Sequence, residues 1–67
     1  MTKITRLAEA RRENGMTQAQ LAEASGVHRV TISRLESGKV SANVETLGKL
    51  AKALGVQVGD LVDKKAG

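Results

Sequence analysis

The chain has 67 residues, with 11 Lys and Arg against 7 Asp and Glu, a net charge of +4 and a pI near 10.0. It holds no Cys, Pro, Phe, Trp or Tyr, and a single His. That length gives room for one domain, residues 1–67, with a small aliphatic core. Without cysteine there are no disulfides, thiolate metal sites or thiol nucleophiles. One histidine cannot furnish a usual zinc ligand set, so no metal site is expected. The lack of aromatic rings argues against stacking on splayed bases, the mode of single-strand and RNA readers. No run approaches the ~18 apolar residues of a membrane span, and the N-terminus has no signal-peptide core. With the missing cysteines, these features fit a cytoplasmic protein with no membrane partner. The basic excess is compatible with a polyanion.

The pattern is helical throughout. Ile4, Leu7, Ala8 and Arg11 follow the spacing of one helix face, and Asn14-Gly15 ends that first helix. Thr17-Gln18-Ala19-Gln20 matches a capping box, a hydroxyl at the N-cap and Gln three residues on. The second helix then offers Leu21, Ala22 and Ala24 for packing, and Ser25-Gly26 stops it. A third helix runs over about residues 28–36, burying Ile32 and Leu35, and Ser37-Gly38 stops it. Residues 39–42 read as a loop. Asn43 is a good N-cap for a fourth helix, with Glu45 in the first turn where the helix dipole favours an anion. Its apolar stripe is Val44, Leu47, Leu50, Ala51 and Leu54, and Gly55 ends it. A short fifth helix, roughly residues 58–62, offers Leu61 and Val62, and residues 63–67 read as a frayed tail. The expected fold is all-α, a compact five-helix bundle whose core spans about residues 4–62.

Residues 18–37 have the form of a helix-turn-helix. Ala22 falls where the two helices must come close, and Gly26 sits in the turn, where a positive φ is expected. Leu21, Val27, Ile32 and Leu35 are the apolar positions that lock the pair. At about 100° per residue, Ile32, Leu35 and Glu36 cluster on the inner side of the third helix. Val30, Ser33, Arg34 and Ser37 point outward, with Arg29 at the flank.

Several stretches carry a resemblance. They are Leu7-Ala8-Glu9-Ala10-Arg11 before Gly15; Met16-Thr17-Gln18-Ala19-Gln20-Leu21-Ala22; Gly26-Val27; Thr31-Ile32-Ser33-Arg34-Leu35-Glu36-Ser37-Gly38-Lys39; and Leu50-Ala51-Lys52-Ala53-Leu54-Gly55-Val56. Together they make the chain similar to the lambda-repressor-like helix-turn-helix family, the phage repressor and Cro type, also called the XRE family. The resemblance covers residues 4–62. It implies a transcriptional regulator, a repressor, that binds a palindromic double-stranded DNA operator as a homodimer without a cofactor. It also implies that the third helix enters the major groove, where outward residues meet base edges.

On that expectation, Arg34 is the candidate for a bidentate contact to guanine, and Arg29 either does the same or holds a phosphate. Val30 either meets a thymine methyl or is an inert exposed valine. Ser33 is adaptable, and Gln18 stands against both bases and backbone. The resemblance places phosphate contacts at Thr17 and Gln18, where a helix N-terminus has free N–H groups, and at Lys39, Ser41 and Asn43. Thr31 and Ser37 complete the phosphate set. Arg11 and Glu36 are implied to form an internal salt bridge.

Three residues depart from the family pattern. His28 stands where Ser or Thr usually caps the recognition helix. Gly48 lies inside the fourth helix, at a cost of ~1 kcal/mol relative to Ala; either another helix approaches closely there or the position has drifted. Gln57 is a poor cap, so the fifth helix is expected to fray. Val56, Val58, Leu61 and Val62 offer more apolar surface than one short helix readily buries. They form either a dimer interface or the closure of the intramolecular core.

Two other classes compete. A protein-interaction module such as an antitoxin or adaptor, with little DNA binding of its own, would favour acids on the outer face of the third helix. The sequence puts Arg29 and Arg34 there instead. A hydrolytic or metal enzyme needs clustered carboxylates around its histidine, and His28 has none in sequence. The charge is also unevenly spread. Residues 1–34 hold six basic and three acidic side chains, and residues 35–67 five and four.

Overall fold

A computed structural model describes residues 3–62. The chain runs through α1 (Leu7–Glu13), α2 (Gln18–Ser25), α3 (Arg29–Glu36) and α4 (Val44–Leu54), then a 3₁₀ turn at Val58–Asp60. The all-α expectation and the helix-turn-helix hold. No described helix is long and apolar enough to cross a membrane.

Helix starts are set by hydrogen bonds, distant in sequence for α1 and local for α2, α3 and α4. The Arg6 N–H donates to the Leu61 carbonyl at 3.0 Å, while the Arg6 carbonyl accepts from Ala10. The chain therefore enters α1 only at Leu7, and Ile4 is buried ahead of the helix rather than on it. Thr17 and Gln20 close the capping box on α2: Thr17 Oγ1 accepts from the Gln20 N–H at 3.0 Å, and Gln20 Oε1 from the Thr17 N–H at 2.8 Å. His28 caps α3 through Nδ1, which accepts from the Val30 N–H at 3.1 Å. An accepting Nδ1 has no proton, so the neutral ring carries its proton on Nε2. Asn43 Oδ1 caps α4 from the Thr46 N–H at 2.8 Å.

The turn between α2 and α3 depends on Gly26, whose φ of +77° lies in the left-handed region. A side chain there would strain the backbone by ~1–2 kcal/mol. Its N–H closes α2 on the Ala22 carbonyl at 2.9 Å.

Every helix sends a residue to one core. Leu7, Leu21, Ile32, Leu35, Leu50 and Leu61 are fully buried, each contributing about 1.5–3 kcal/mol by removal from water. α2 packs on both α3 and α4, and α1 packs on α3. Val27 in the turn and Ala42 in the loop before α4 complete the core, and Ala22 lies half-buried against it. Asn14 Nδ2 donates to the carbonyls of Ala10 at 3.1 Å and Leu54 at 3.3 Å, joining the C-terminal ends of α1 and α4.

Several expectations need correction. The fifth helix is the single 3₁₀ turn: the Leu61 N–H returns to Val58 at 3.1 Å, and Gly59 in its centre disfavours longer helix. Asp60 Oδ2 accepts from the Gln57 N–H at 3.0 Å, so the turn is capped from its far end although Gln57 is a poor cap. Ala24 is exposed rather than packed. Val44 is 86% exposed, because nothing among the described residues covers the first turn of α4. Apart from its chain neighbours and the adjacent backbone of α4, no described atom lies within 4 Å of a methyl added at Gly48, so no other helix among the described residues approaches there. At the C-terminal end, Leu61 is fully buried and Val56 and Val62 pack against the core, leaving Val58 at 43% exposure. The fold itself thus uses most of the apolar surface that had suggested a dimer interface. The proposed tail, residues 63–67, lies outside the described residues.

Candidate nucleic-acid interface

The outer face of α3 follows from the burial of its inner face. Ile32 and Leu35 are in the core, so Arg29, Val30, Ser33 and Arg34 are exposed. They border a cleft whose remaining walls are Gln18, the first residue of α2, and Lys39 after α3. Three cations line this cleft, and no carboxylate lines it among the described residues. Its walls offer guanidinium forks, an amide, a hydroxyl and one aliphatic surface.

The other candidates lie outside that lining. Thr17 is exposed at the N-cap of α2, beside Gln18. Thr31 and Ser41 are half-buried. Ser37 is exposed, and its hydroxyl donates to the Arg34 carbonyl at 3.0 Å. Asn43 is exposed with Oδ1 engaged as the α4 cap.

Behind the cleft, Arg11 of α1 and Glu36 of α3 form a forked ion pair. Arg11 Nε donates to Glu36 Oε2 at 2.6 Å, and Nη2 to Oε1 at 3.1 Å. The side chains are 12% and 8% exposed. Arg11 Nη1 also donates to the Met16 carbonyl at 2.8 Å, which ties the α1–α2 loop to the pair. Gln18 Nε2 donates to Glu36 Oε1 at 3.0 Å. Burial pushes the Glu36 carboxyl up, but the hydrogen bonds from Arg11 and Gln18 and the charges of Arg11 and Arg12 outweigh it. The net result is a pKa below the ordinary value of 4.5. The hydrogen bond to Glu36 raises Arg11, against opposing desolvation. This link from Glu36 to Gln18 escaped the sequence reading. It joins residues 18 positions apart on different helices, and no local pattern records such a contact.

The helix-turn-helix family model matches residues 7–61, and the chain belongs to that family. It is 40% identical over 55 residues to the HTH-type transcriptional regulator PuuR of Escherichia coli (strain K12), covering 82% of this chain and 30% of that protein. The chain thus spans under a third of that relative's length. The restriction-modification controller protein C.AhdI of Aeromonas hydrophila superposes with a TM-score of 0.80 at 34% identity, over 84% of this chain and 85% of that one. The P22 c2 repressor, solved with a synthetic operator, gives a TM-score of 0.80 at 32% identity, over 90% and 91% of the two chains.

Proposed function

We propose that this chain is a sequence-specific reader of double-stranded DNA that acts as a transcriptional repressor in the cytoplasm, with residues 1–67 as one domain and α3 as the recognition helix. The observation that carries the reading is the acid-free cleft along the outer face of α3, with Arg29 and Arg34 on the helix and Lys39 at its end. A helix in the major groove meets base edges with side chains of this kind. The similarity to a repressor solved with its operator supports the same docking.

In this reading Arg34 and Arg29 hold guanine edges, Ser33 adapts, and Val30 meets a thymine methyl. Lys39 and the N-terminal end of α2 at Thr17 take phosphates. Thr31, Ser37, Ser41 and Asn43 are placed along the backbone with them. A homodimer sets two recognition helices about one DNA turn apart, ~34–36 Å, so the operator is palindromic. Among the described residues, Val40, Val44 and Val58 are the exposed large apolar residues outside the α3 face that are left for a subunit contact. An interaction module that had left DNA behind would not need an outer α3 face carrying two arginines.

Selection of bound sites from random duplexes at a fixed salt concentration tests this reading, since salt sets the non-specific background. The expected result is a two-fold symmetric consensus. Recovery of a pool with no enriched sequence overturns the proposal.

A further inference from the structure

Gln18 lies between two different surroundings. On one side it borders the cationic cleft with Arg29, Ser33, Arg34 and Lys39. On the other, Nε2 donates to Glu36 Oε1 at 3.0 Å. A glutamine amide turned by 180° has the same shape but exchanges donor for acceptor. An ionised carboxylate accepts only. The flipped amide would set Gln18 Oε1 against Glu36 Oε1, two lone-pair atoms facing each other where Glu36 is 8% exposed. Arg11 in turn holds Glu36 by both oxygens. The orientation of the Gln18 amide is thereby selected by chemistry rather than by shape.

With one Nε2 proton on Glu36, the amide still has its Oε1 carbonyl and a second N–H. Adenine presents an N6 donor beside an N7 acceptor in the major groove, which matches that pair. Guanine presents two acceptors there, so Oε1 would face O6 unfavourably. A phosphate presents acceptors only, so it would use the second N–H and leave Oε1 without a donor. We propose that Glu36 is a positioning residue that fixes Gln18 as an acceptor–donor edge, and that this edge reads an adenine. Oε1 accepts from N6 and Nε2 donates to N7. The inference rests on the DNA-reading function proposed above and assigns one base of the site.

The test compares selected sites for the wild type, Gln18→Ala and Glu36→Gln. A glutamine at position 36 offers donor or acceptor, so it releases the Gln18 amide to both orientations. Both variants are expected to lose roughly tenfold in adenine-over-guanine preference at one position per half-site, with the other positions unchanged. Uniform weakening on all sequences by Glu36→Gln shows a purely structural Glu36 and overturns the proposal. Uniform weakening by Gln18→Ala makes Gln18 a phosphate contact and also overturns it.

If Glu36→Gln does not fold, the double variant Arg11→Gln with Glu36→Gln replaces the ion pair by a neutral amide pair and is read in the same way. If the wild type enriches no sequence, the DNA-reading function fails by itself. Proton–nitrogen NMR of the DNA-free protein then judges the positioning role. One Gln18 side-chain proton is expected to be displaced downfield in the wild type and not in the variant. Its absence from the wild type contradicts the positioning.

Discussion

Arg11 on α1 and Glu36, the last residue of α3, grip each other through two parallel hydrogen bonds, Nε to Oε2 at 2.6 Å and Nη2 to Oε1 at 3.1 Å. The fork crosses 25 positions of sequence and fixes the end of the recognition helix to the first helix. Arg11 also holds the Met16 carbonyl. One guanidinium therefore sets where the α1–α2 loop and α3 stand relative to each other.

Removing Glu36 leaves a guanidinium with 12% exposure unpaired. Glu36→Ala should therefore destabilise the domain by about 3 kcal/mol, which lowers the melting temperature by more than ~10 °C in a domain this small. Thermal melts near neutral pH check it, and an unchanged melting temperature contradicts it.

The same pair sets a pH dependence. Burial raises the Glu36 carboxyl, but its partners hold it below 4.5 overall. A folded-state pKa below the unfolded one gives stability that is present above the unfolded value and lost as pH falls through the folded one. The melting-temperature gap between wild type and Glu36→Ala should thus be constant above about pH 4.5 and narrow below it. A gap that widens on acidification would contradict the assignment.

Lys39 and Thr17 should behave differently from the base readers. Lys39→Ala is expected to weaken binding equally on all duplexes and to reduce the log–log salt slope by about 1. Titrations at several salt concentrations give that slope. Thr17→Ala should cost about 1 kcal/mol of stability through the lost cap.

The two departures on helices have opposite expectations. His28 already caps α3 through Nδ1, so His28→Ala should cost about 1 kcal/mol, whereas His28→Ser, a preferred cap, should cost nothing. Gly48→Ala adds a methyl that meets no described atom outside the adjacent stretch of α4 within 4 Å and should stabilise α4 by about 1 kcal/mol. Chemical denaturation of the three variants measures both.

The helices were legible wherever local chemistry determines them. Thr17 with Gln20, and Asn43, mark helix starts through contacts three residues long, and Gly26 and Gly55 mark stops through their positive φ. The outer face of α3 was equally legible, because Ile32 and Leu35 define its inner face by periodicity. Apart from the Arg11–Glu36 pair, which only the resemblance implied, contacts that join distant positions were not. The late start of α1 depends on Arg6 reaching Leu61, and the link between α1 and α4 on Asn14 reaching Leu54. The orientation of Gln18 depends on Glu36. The shortened fifth helix has a local cause in Gly59, which the apolar spacing around it concealed. Val44 shows the limit of periodicity: it shares the stripe of α4 but lies where no described residue covers it.

Site selection from random duplexes with wild type and Arg34→Ala side by side, at one salt concentration, tests the recognition role of α3 most directly. The wild type is expected to yield a two-fold symmetric consensus. Arg34→Ala should lose the guanine preference at one position per half-site, at a cost of ~1–3 kcal/mol there, with the remaining positions unchanged. A consensus unaltered by Arg34→Ala, or a loss spread evenly over all sequences, would contradict it.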